Sequence, residues 1–387
     1  MSKLFLVCWY FIAIIIFVYS YGFVDLNLTL SSHPLVFNFV SFMQQLSYFD
    51  RALSLKVFIT LLLALFGLYL TTISLKISAF PWKLVVGLSL IFSLSYPMLS
   101  SDVFKYLFSA KAIILYHVNP YLVTPDTFAD DTWIRFMRWV HTTTPYGPIF
   151  TLFTIPYYVL GMGKFVPVLY LFKLDQIAWY LLTIWLIGRI TALQKWSPRR
   201  TILAQLFFAV NPLIIMEWLV NAHNDAMMLS LLMLAIYLSL IQKRGWSFLT
   251  ALLSAGIKYV TIIFLPILLF PKLLSKYWTS CITLTLTALS LIPLLYHYSW
   301  QYQPWYVTWL IPFASLIDHK LVRATVVAYS FAVFSRYLFF VGTGSWLGTP
   351  TQHALMTFVP PVLTATIMLI NSLTSFASPL QRKSPQK

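Results

Sequence analysis

The sequence predicts an all-α fold, a polytopic transmembrane helical bundle of about 10–12 spans that include short or re-entrant helices. Apolar residues make up 60% of the 387 residues, and charged residues make up only 9%. The mean hydropathy of +0.80 lies far outside the range of soluble proteins. Apolar runs of about 20 residues, the helix length that crosses a bilayer core, recur along the whole chain. We expect a single integral membrane domain over residues 1–387, with an outer loop over residues 100–148.

The expected spans are the apolar runs that reach or approach the length of a bilayer crossing. The first begins just after Lys3, and no small-residue cleavage pattern follows it, so we interpret it as an uncleaved signal anchor. The expected spans cover residues 4–23, 57–75, 84–99, 165–190, 201–220, 226–242, 278–297, 305–317, 321–341 and 354–373.

Two apolar segments are too short or too interrupted to cross comfortably. We interpret residues 149–160 as a re-entrant or interfacial helix, which is tolerated where protein or a water-filled cavity covers its backbone. We interpret residues 248–257 and 261–270 as a hairpin of two short helices with Lys258 near its tip. An uninterrupted helix over residues 248–270 is the alternative.

Basic residues set the expected orientation. With the N-terminus inside, the short connections on the cytoplasmic side contain most of the 26 lysines and arginines, as expected from the bias of basic residues toward that side. Both termini are then cytoplasmic. Much of the net charge of +16 is explained by topology and by contact with anionic lipid headgroups. Nucleic-acid binding is not expected, because the chain lacks a soluble basic surface.

Cys8 and Cys281 lie in apolar runs and are interpreted as small buried residues.

Six short polar islands interrupt the apolar sequence, and the parity of the spans places them on the opposite, extracytoplasmic face. Carboxylates in or beside a bilayer are costly and usually functional, and the chain contains only ten acidic residues. Cations, carboxylates and aromatic residues gathered at one bilayer surface suggest chemistry on a lipid-linked substrate. The islands are residues 101–106, 119–121, 142–148, 221–225, 258 and 303–306.

Each island also has an ordinary structural interpretation. Capping the N-terminus of the helix that follows could be the sole role of Asp102. Residues 224–225 could likewise cap the next span. The proline- and glycine-containing islands match common turn chemistry. Residues 305–306 could belong to an interfacial aromatic belt, and Lys258 could extend its ammonium group to the interface.

The order of the motifs resembles a known family. An aspartate in the first outer loop opens an amphipathic run that ends in Asn-Pro-Tyr at 119–121, and Thr-Thr-Pro-Tyr-Gly-Pro follows at 143–148. Asn-Pro-Leu at 211–213 then leads through Glu217 to His-Asn-Asp at 223–225. This order is similar to that of the integral-membrane glycosyltransferases of the C superfamily (GT-C). Within it, the chain is most similar to bacterial polyprenyl-phosphate-mannose-dependent mannosyltransferases.

The resemblance implies an activity, a location and a catalytic residue. Such enzymes move a sugar, here mannose, from a polyprenyl-phosphate donor to a hydroxyl of a glycan or glycolipid acceptor. The transfer takes place at the extracytoplasmic face of a bacterial plasma membrane, with inversion at the anomeric carbon, and it builds cell-envelope glycans. By the family pattern Asp102 is the general base. A carboxylate suits this role because it is ionised at neutral pH and accepts the acceptor proton.

The remaining site residues follow from the needs of that reaction. The leaving phosphate needs cations, and Lys258 is favoured because its neighbours in the sequence offer no obvious partner; His223, Lys105 and Lys173 are the other candidates. Many relatives bind a divalent metal through paired acids, but residues 101–103 supply one carboxylate, so we expect no metal and no other cofactor. The expected sugar- or acceptor-binding residues are Tyr121, Tyr146, Glu217, Asn224, Asp225, Trp305 and Tyr306.

Two alternatives remain at this point. A polytopic transporter or lipid-linked glycan flippase would place its charges near the bilayer midplane within related repeats, and the sequence shows no such repeat. A transferase of the same fold that uses polyprenyl-phosphate glucose, arabinose or aminoarabinose is the nearer alternative.

Overall fold

The computed structural model describes residues 2–295, 302–346 and 349–377. Within these ranges the regular structure is helical and no strand is present, which confirms the all-α prediction. Six helices are long and apolar enough to cross a membrane, and a seventh span results if the bent pair Pro198–Ala209 and Pro212–Val220 is counted as one. The chain is therefore a multi-pass helical membrane protein.

The longest connection between the α-helices in the described part of the chain joins the fifth and the sixth. Shorter 3₁₀ helices lie at Tyr21–Phe23, Pro125–Phe128, Thr132–Phe136 and Tyr259–Phe264, and Ile215–Val220 is a π-helix. The α-helices are α1 Lys3–Ser20, α2 Pro34–Ser47, α3 Arg51–Ser74, α4 Trp82–Leu94, α5 Asp102–Ile114, α6 Pro148–Leu160, α7 Phe165–Leu193, α8 Pro198–Ala209, α9 Pro212–Ile214, α10 Asp225–Leu240, α11 Arg244–Ala255, α12 Leu265–Leu268, α13 Pro271–Lys276, α14 Trp278–Leu295, α15 Pro304–Thr308, α16 Leu310–Ser315, α17 Lys320–Ala332, α18 Ser335–Thr343 and α19 Pro350–Ala377.

Several expected spans are shorter than predicted. Helix α4 ends at Leu94 and not at residue 99, and the backbone of the next residue, Ser95, is extended. Pro97 disfavours a helical conformation of the residue before it, so the helix does not resume there. The expected span 305–317 was wrong as a single helix, since it divides into α15 and α16. Pro312 lacks the N–H that would bond to the carbonyl of Thr308, where α15 ends. Helix α2 was not predicted, and the expected end at residue 297 lies outside the described residues.

A bend of 44° separates α8 from Pro212–Val220. Pro212 has no N–H to continue α8, and the Asn211 side chain caps the new helix by accepting a hydrogen bond of 2.9 Å from the Leu213 N–H. The π-helix ends where the Lys173 ammonium group donates to the carbonyls of Leu219 (2.9 Å) and Val220. This bent pair brings residues 221–225 to one end of the bundle.

The hairpin expected at residues 248–270 is confirmed in outline. Helix α11 ends at Ala255, Lys258 lies in the break, and a 3₁₀ helix and α12 return beside α11. The alternative of an uninterrupted helix was therefore wrong. Gly256 is required at the turn, because a Cβ there would lie 2.4 Å from the side chain of Ile149.

The loop between α5 and α6 is folded around one buried carboxylate. Asp131 contacts the Lys111 ammonium group at 2.6 Å and accepts hydrogen bonds of 2.8 Å from the Tyr116 hydroxyl and the Trp133 N–H. These bonds fix residues 115–133 against α5. Helix α6 then has only 13 residues, too few to cross a core of about 30 Å, in agreement with the predicted re-entrant or interfacial helix.

The most buried part of the bundle lies directly below the polar islands. Every residue of Pro212–Val220 is buried, and so is the first half of α10. By contrast, α19 exposes many large apolar side chains on its surface, as expected for a helix that contacts lipid. The polar islands at residues 221–225 thus adjoin the most completely buried helices in the described part of the chain.

Candidate active site

A cavity of about 80 Å³ lies at the first residue of α5. It combines one carboxylate, two guanidinium groups and three indole rings within a single small space. Its lining residues are Leu99, Ser100, Ser101, Asp102, Arg138, Trp139, Gln303, Trp305, Arg336 and Trp346. We call it the Asp102 cavity.

The Asp102 carboxylate is available for chemistry. Ser101 is the N-cap residue of α5, and no side-chain capping bond is present, so the interpretation of Asp102 as a helix cap is not supported. Among the described residues, no donor forms a hydrogen bond with its carboxylate, while its N–H donates to the Ser100 hydroxyl at 3.2 Å. Burial raises the pKa of Asp102 to about 6, although the charges of Lys258, Lys105 and Arg138 act in the opposite direction. The group is ionised at neutral pH and is a stronger base than an ordinary aspartate.

The two arginines of the cavity were missed by the sequence analysis. The Arg138 guanidinium group lies 5.6 Å from the ring centroid of Trp139 and 5.4 Å from that of Trp346. Arg336 is buried and belongs to α18. A signal for Arg336 was present, because a charged residue inside an expected span is rare and usually functional. Nothing in the sequence placed either arginine beside Asp102.

A second group of polar side chains lies beneath the cavity and is almost completely buried. Glu217, His223, Asn224 and Asp225 are each 1% exposed or less, and we call them the inner polar layer. Glu217 accepts a hydrogen bond of 2.6 Å from the Tyr337 hydroxyl, and its other oxygen lies 3.2 Å from His223 Nε2. The layer lies behind the cavity wall and not on it.

His223 connects the inner polar layer to the cavity. Its ring stacks on Trp305 with centroids 4.8 Å apart and an interplanar angle of 25°, and its Nδ1 lies 3.4 Å from the Tyr106 hydroxyl. Burial lowers the pKa of His223 to about 3, so the ring is neutral and brings no positive charge to a phosphate. The stack gives Trp305 a specific contact that membership of an aromatic belt would not require.

Lys258 has a partner that is distant in the sequence, the Asp225 carboxylate. Its ammonium group lies 2.7 Å from Asp225 Oδ1, which also accepts a hydrogen bond of 2.5 Å from Trp309 Nε1. The hairpin causes this pairing, because it returns Lys258 to the start of α10. Only 18% of the Lys258 side chain is exposed, so it does not simply extend to the interface.

The other two lysine candidates bond to backbone carbonyls. Lys105 donates to the carbonyls of Trp139 (2.9 Å) and Thr142 (2.8 Å) and to the Thr142 hydroxyl, and burial lowers its pKa to about 8. It holds Trp139 at the cavity. Lys173 bonds to the end of the π-helix and forms no ion pair with Asp175 in the described part of the chain. Asp175 accepts instead from Trp179 Nε1 at 2.6 Å.

Backbone bonds join three of the islands. The Thr144 N–H donates to the Pro120 carbonyl at 2.9 Å, and the Gly147 N–H donates to the Ile257 carbonyl at 2.9 Å. A Cβ at Gly147 would lie 2.1 Å from the carbonyl oxygen of Gly256. The glycine is therefore needed for this close approach, which positions the hairpin tip and Lys258.

The predicted aromatic residues separate into two places. Tyr146 packs edge-on against Tyr106 at 4.7 Å, and Tyr306 packs at 4.9 Å from Trp309, so both lie beside the inner polar layer. Tyr121 bonds to the Thr151 hydroxyl at 2.7 Å and lines a different cavity of about 550 Å³. The structure does not bring Tyr121 to the Asp102 cavity.

Two predictions remain to be compared with the structure, the role of Asn224 and the absence of a metal. No side-chain capping bond is present at the start of α10, so the interpretation of residues 224–225 as a cap is not supported. Both polar atoms of the Asn224 side chain are buried without a partner among the described residues. Within the same part of the chain, no three His, Cys, Asp or Glu side chains are grouped to hold a metal ion. A metal-free site remains a prediction.

Comparison with known proteins assigns this region to a family. The model described as Alpha-(1->6)-mannopyranosyltransferase, N-terminal domain, of the MptA_B family, matches residues 82–271. Residues 82–271 are thus similar to this family, and the chain is a glycosyltransferase. The matched region contains every predicted site residue except Trp305 and Tyr306. No curated protein and no solved structure matched the chain.

The family assignment confirms the coarser part of the sequence-based interpretation. The chain is a membrane-embedded glycosyltransferase that resembles a mannosyltransferase family over residues 82–271, and such an enzyme uses a sugar donor and a glycan acceptor. The resemblance to mannosyltransferases is therefore confirmed, and the match is consistent with a fold of the C superfamily.

Proposed function

We propose that the chain transfers mannose from a polyprenyl-phosphate donor to a hydroxyl group of a glycan acceptor, with inversion, at the extracytoplasmic membrane face. The observation that carries this proposal is the Asp102 cavity, in which a carboxylate and two guanidinium groups line the same small space. The reaction needs a base for the acceptor hydroxyl and cations for the leaving phosphate, and the carboxylate and the guanidinium groups can supply them.

In this reaction the residues on the two sides of the cavity have different roles. Asp102 takes the proton of the acceptor hydroxyl as that oxygen bonds to the anomeric carbon of the donor. The bond between the anomeric carbon and the phosphate oxygen breaks on the opposite side, and the bonding electron pair leaves with the polyprenyl phosphate. Attack opposite to the leaving group inverts the configuration. Arg138 and Arg336 bind the phosphate, on which negative charge accumulates, through charge-assisted hydrogen bonds.

The raised pKa of Asp102 supports its role as the base. A carboxylate with a pKa of about 6 remains ionised at neutral pH, and it holds the transferred proton more strongly than an aspartate of ordinary pKa does. Lys258 acts on this group from a distance, since its charge favours the ionised form of Asp102. In this proposal Lys258 and Lys105 position the cavity walls, and the arginines contact the phosphate.

The two ends of the bundle differ in a way that supports the proposed orientation. At the end opposite the cavity, Asp318 pairs with Arg200 at 3.2 Å and with Arg323 at 3.7 Å, in short basic connections. Basic residues in short loops are typical of the cytoplasmic side. The cavity end then faces outward, and the N-terminus lies inside. The C-terminal residues 378–387 lie outside the described residues.

The test is a transfer assay with the purified protein in lipid vesicles. A panel of radiolabelled polyprenyl-phosphate sugars is offered together with membrane glycan acceptors, and transfer of label from mannose to the acceptor is expected. Asp102→Asn should lower the rate by about 10² to 10⁴, the usual contribution of a positioned base. The control is Asp130→Asn, an exposed acid of the same outer loop. Near-full activity of Asp102→Asn would remove the base from the proposal.

The same assay separates the alternatives. Label that crosses the bilayer without a new glycosidic bond would indicate a flippase. Transfer of a sugar other than mannose would keep the reaction and change the donor. No observation in the described residues favours the transporter, because the charged groups of the cavity lie together at one end of the bundle and residues 82–271 match a transferase family.

A further inference from the structure

A second cavity, of about 290 Å³, adjoins the Asp102 cavity. The two cavities share the wall residues Ser100, Ser101, Arg138 and Trp346. We call the second cavity the arginine vestibule, because its lining includes three arginines, and its volume is close to the lower end of small-molecule sites, about 300 Å³. A ligand in the vestibule would lie directly beside the segment that carries Asp102.

The vestibule walls carry an excess of positive charge. Arg51, Arg135 and Arg138 line it, and Asp25 is its only lining carboxylate among the described residues. The Asp25 carboxylate accepts hydrogen bonds from the Asn27 N–H at 2.8 Å and from its side-chain amide at 3.1 Å. The ion pairs found in the described part of the chain include none of these three arginines. Guanidinium groups without a carboxylate partner suit a phosphate or carboxylate ligand.

Arg51 provides a second, independent indication of a ligand. Its Nη1 atom is buried and has no hydrogen-bond partner among the described residues. Its guanidinium group lies 4.5 Å from the ring centroid of Tyr48, which fixes its orientation. A buried donor without an acceptor is unfavourable, and an anion in the vestibule would accept from it. At the opposite end of the bundle, Arg200 and Arg323 have the Asp318 carboxylate as partner.

We propose that the arginine vestibule binds the glycan acceptor, and that this acceptor carries an anionic group, a phosphate or a carboxylate, near the sugar that receives mannose. The inference rests on the proposed function, because Asp102 must receive a hydroxyl group from one side of its cavity. The acceptor enters through the wall that the two cavities share, while the donor phosphate lies toward Arg336. Arg138, which lines both cavities, lies between the two substrates.

The test compares two acceptors that differ in one charge. The first is a neutral mannosyl alkyl glycoside, and the second is the same compound with a phosphate on its alkyl chain. In phosphatidylcholine vesicles, the phosphorylated acceptor should have a KM at least about tenfold lower, the value of one charge-assisted hydrogen bond. Arg135→Gln and Arg51→Gln should each raise that KM about tenfold or more, with little effect on the KM of the neutral acceptor.

Control variants distinguish the loss of an arginine charge from an effect on folding. Arg135 is exposed, so its replacement removes a charge with little effect on packing, and Arg135→Lys should recover part of the affinity. Arg244→Gln is the matched control, because Arg244 is exposed at the start of α11, far along the chain from the vestibule. Arg138 is left unchanged since it lines both cavities. Arg244→Gln should leave both the KM of the phosphorylated acceptor and the transfer rate at their wild-type values.

The outcomes distinguish the two proposals. Equal KM values for both acceptors, unchanged by Arg135→Gln, would overturn the vestibule as an anion-binding acceptor site while mannosyl transfer stands. If phosphatidylglycerol in the vesicles removes the advantage of the phosphorylated acceptor, the vestibule binds a lipid headgroup and the inference is wrong. A wild-type protein that transfers no sugar to either acceptor would instead refute the proposed function.

Discussion

The pair formed by Lys258 and Asp225 gives the sharpest test of how the site is built. In Lys258→Met, the Asp225 carboxylate keeps its bond from Trp309 Nε1 but loses its cation. Methionine has nearly the same length as lysine and carries no charge. The substitution therefore removes the ion pair and preserves most of the packing at the hairpin tip.

The size of the effect follows from burial. The Asp225 side chain is 0% exposed and that of Lys258 is 18% exposed, so the carboxylate has no access to water when its partner is removed. Removing one member of a buried pair costs about 3–5 kcal/mol. We expect a value near 3 kcal/mol, because Lys258 is partly exposed and Trp309 remains a donor. The double variant Lys258→Met with Asp225→Asn should recover most of the loss, since no buried charge remains.

The measurement is the free energy of unfolding in mixed micelles titrated with sodium dodecyl sulfate, together with the donor KM. Lys272→Met serves as the control, because Lys272 is exposed at the start of α13. An unchanged unfolding free energy, combined with a higher donor KM, would contradict the structural pair. Lys258 would then contact the donor phosphate directly, as its position in the sequence first suggested.

Three further predictions test the base, the loop and the orientation. The kcat/KM should fall about tenfold per pH unit below pH 6, because a base with a raised pKa of about 6 is lost as the pH falls through that value; a profile flat to pH 4 would exclude Asp102. Gly147→Ala should destabilise the protein by about 1–3 kcal/mol, since its Cβ would meet a backbone carbonyl at 2.1 Å, whereas Gly245→Ala, with open space around it, should not. In a chain without its two native cysteines, Phe128→Cys should react with an impermeant thiol reagent from outside and Ser197→Cys should not, and the reverse would invert the topology.

The parts of the fold that depend on local sequence were predictable. Length and hydropathy identified the long spans, because a membrane helix must supply its own apolar length. The hairpin was predictable for the same reason, since two short apolar runs flank Gly256 and Lys258. The division of residues 305–317 was missed because the contribution of Pro312 depends on where the helix begins.

The site was predictable only in part, because its contacts join distant positions. Asp102 was selected from the family pattern, and the structure places it on a cavity. The partner of Lys258 and the presence of Arg336 depend on how the hairpin and α18 pack, which no spacing in the sequence reveals. The polar residues at 217–225 were selected because such residues are rare in an apolar chain, but their burial behind the cavity wall could not be predicted from residue type.

The stack of His223 on Trp305 affects how mutational data on this enzyme should be interpreted. Trp305 is part of the cavity wall and packs on the His223 ring, which lies 3.2 Å from Glu217 and 3.4 Å from the Tyr106 hydroxyl. Substitutions in the inner polar layer would tilt the indole and lower turnover without touching either substrate. A scan that measured activity alone would assign catalytic roles to these buried side chains. Separate measurement of substrate affinity and of turnover would identify them instead as residues that position Trp305 in the cavity wall.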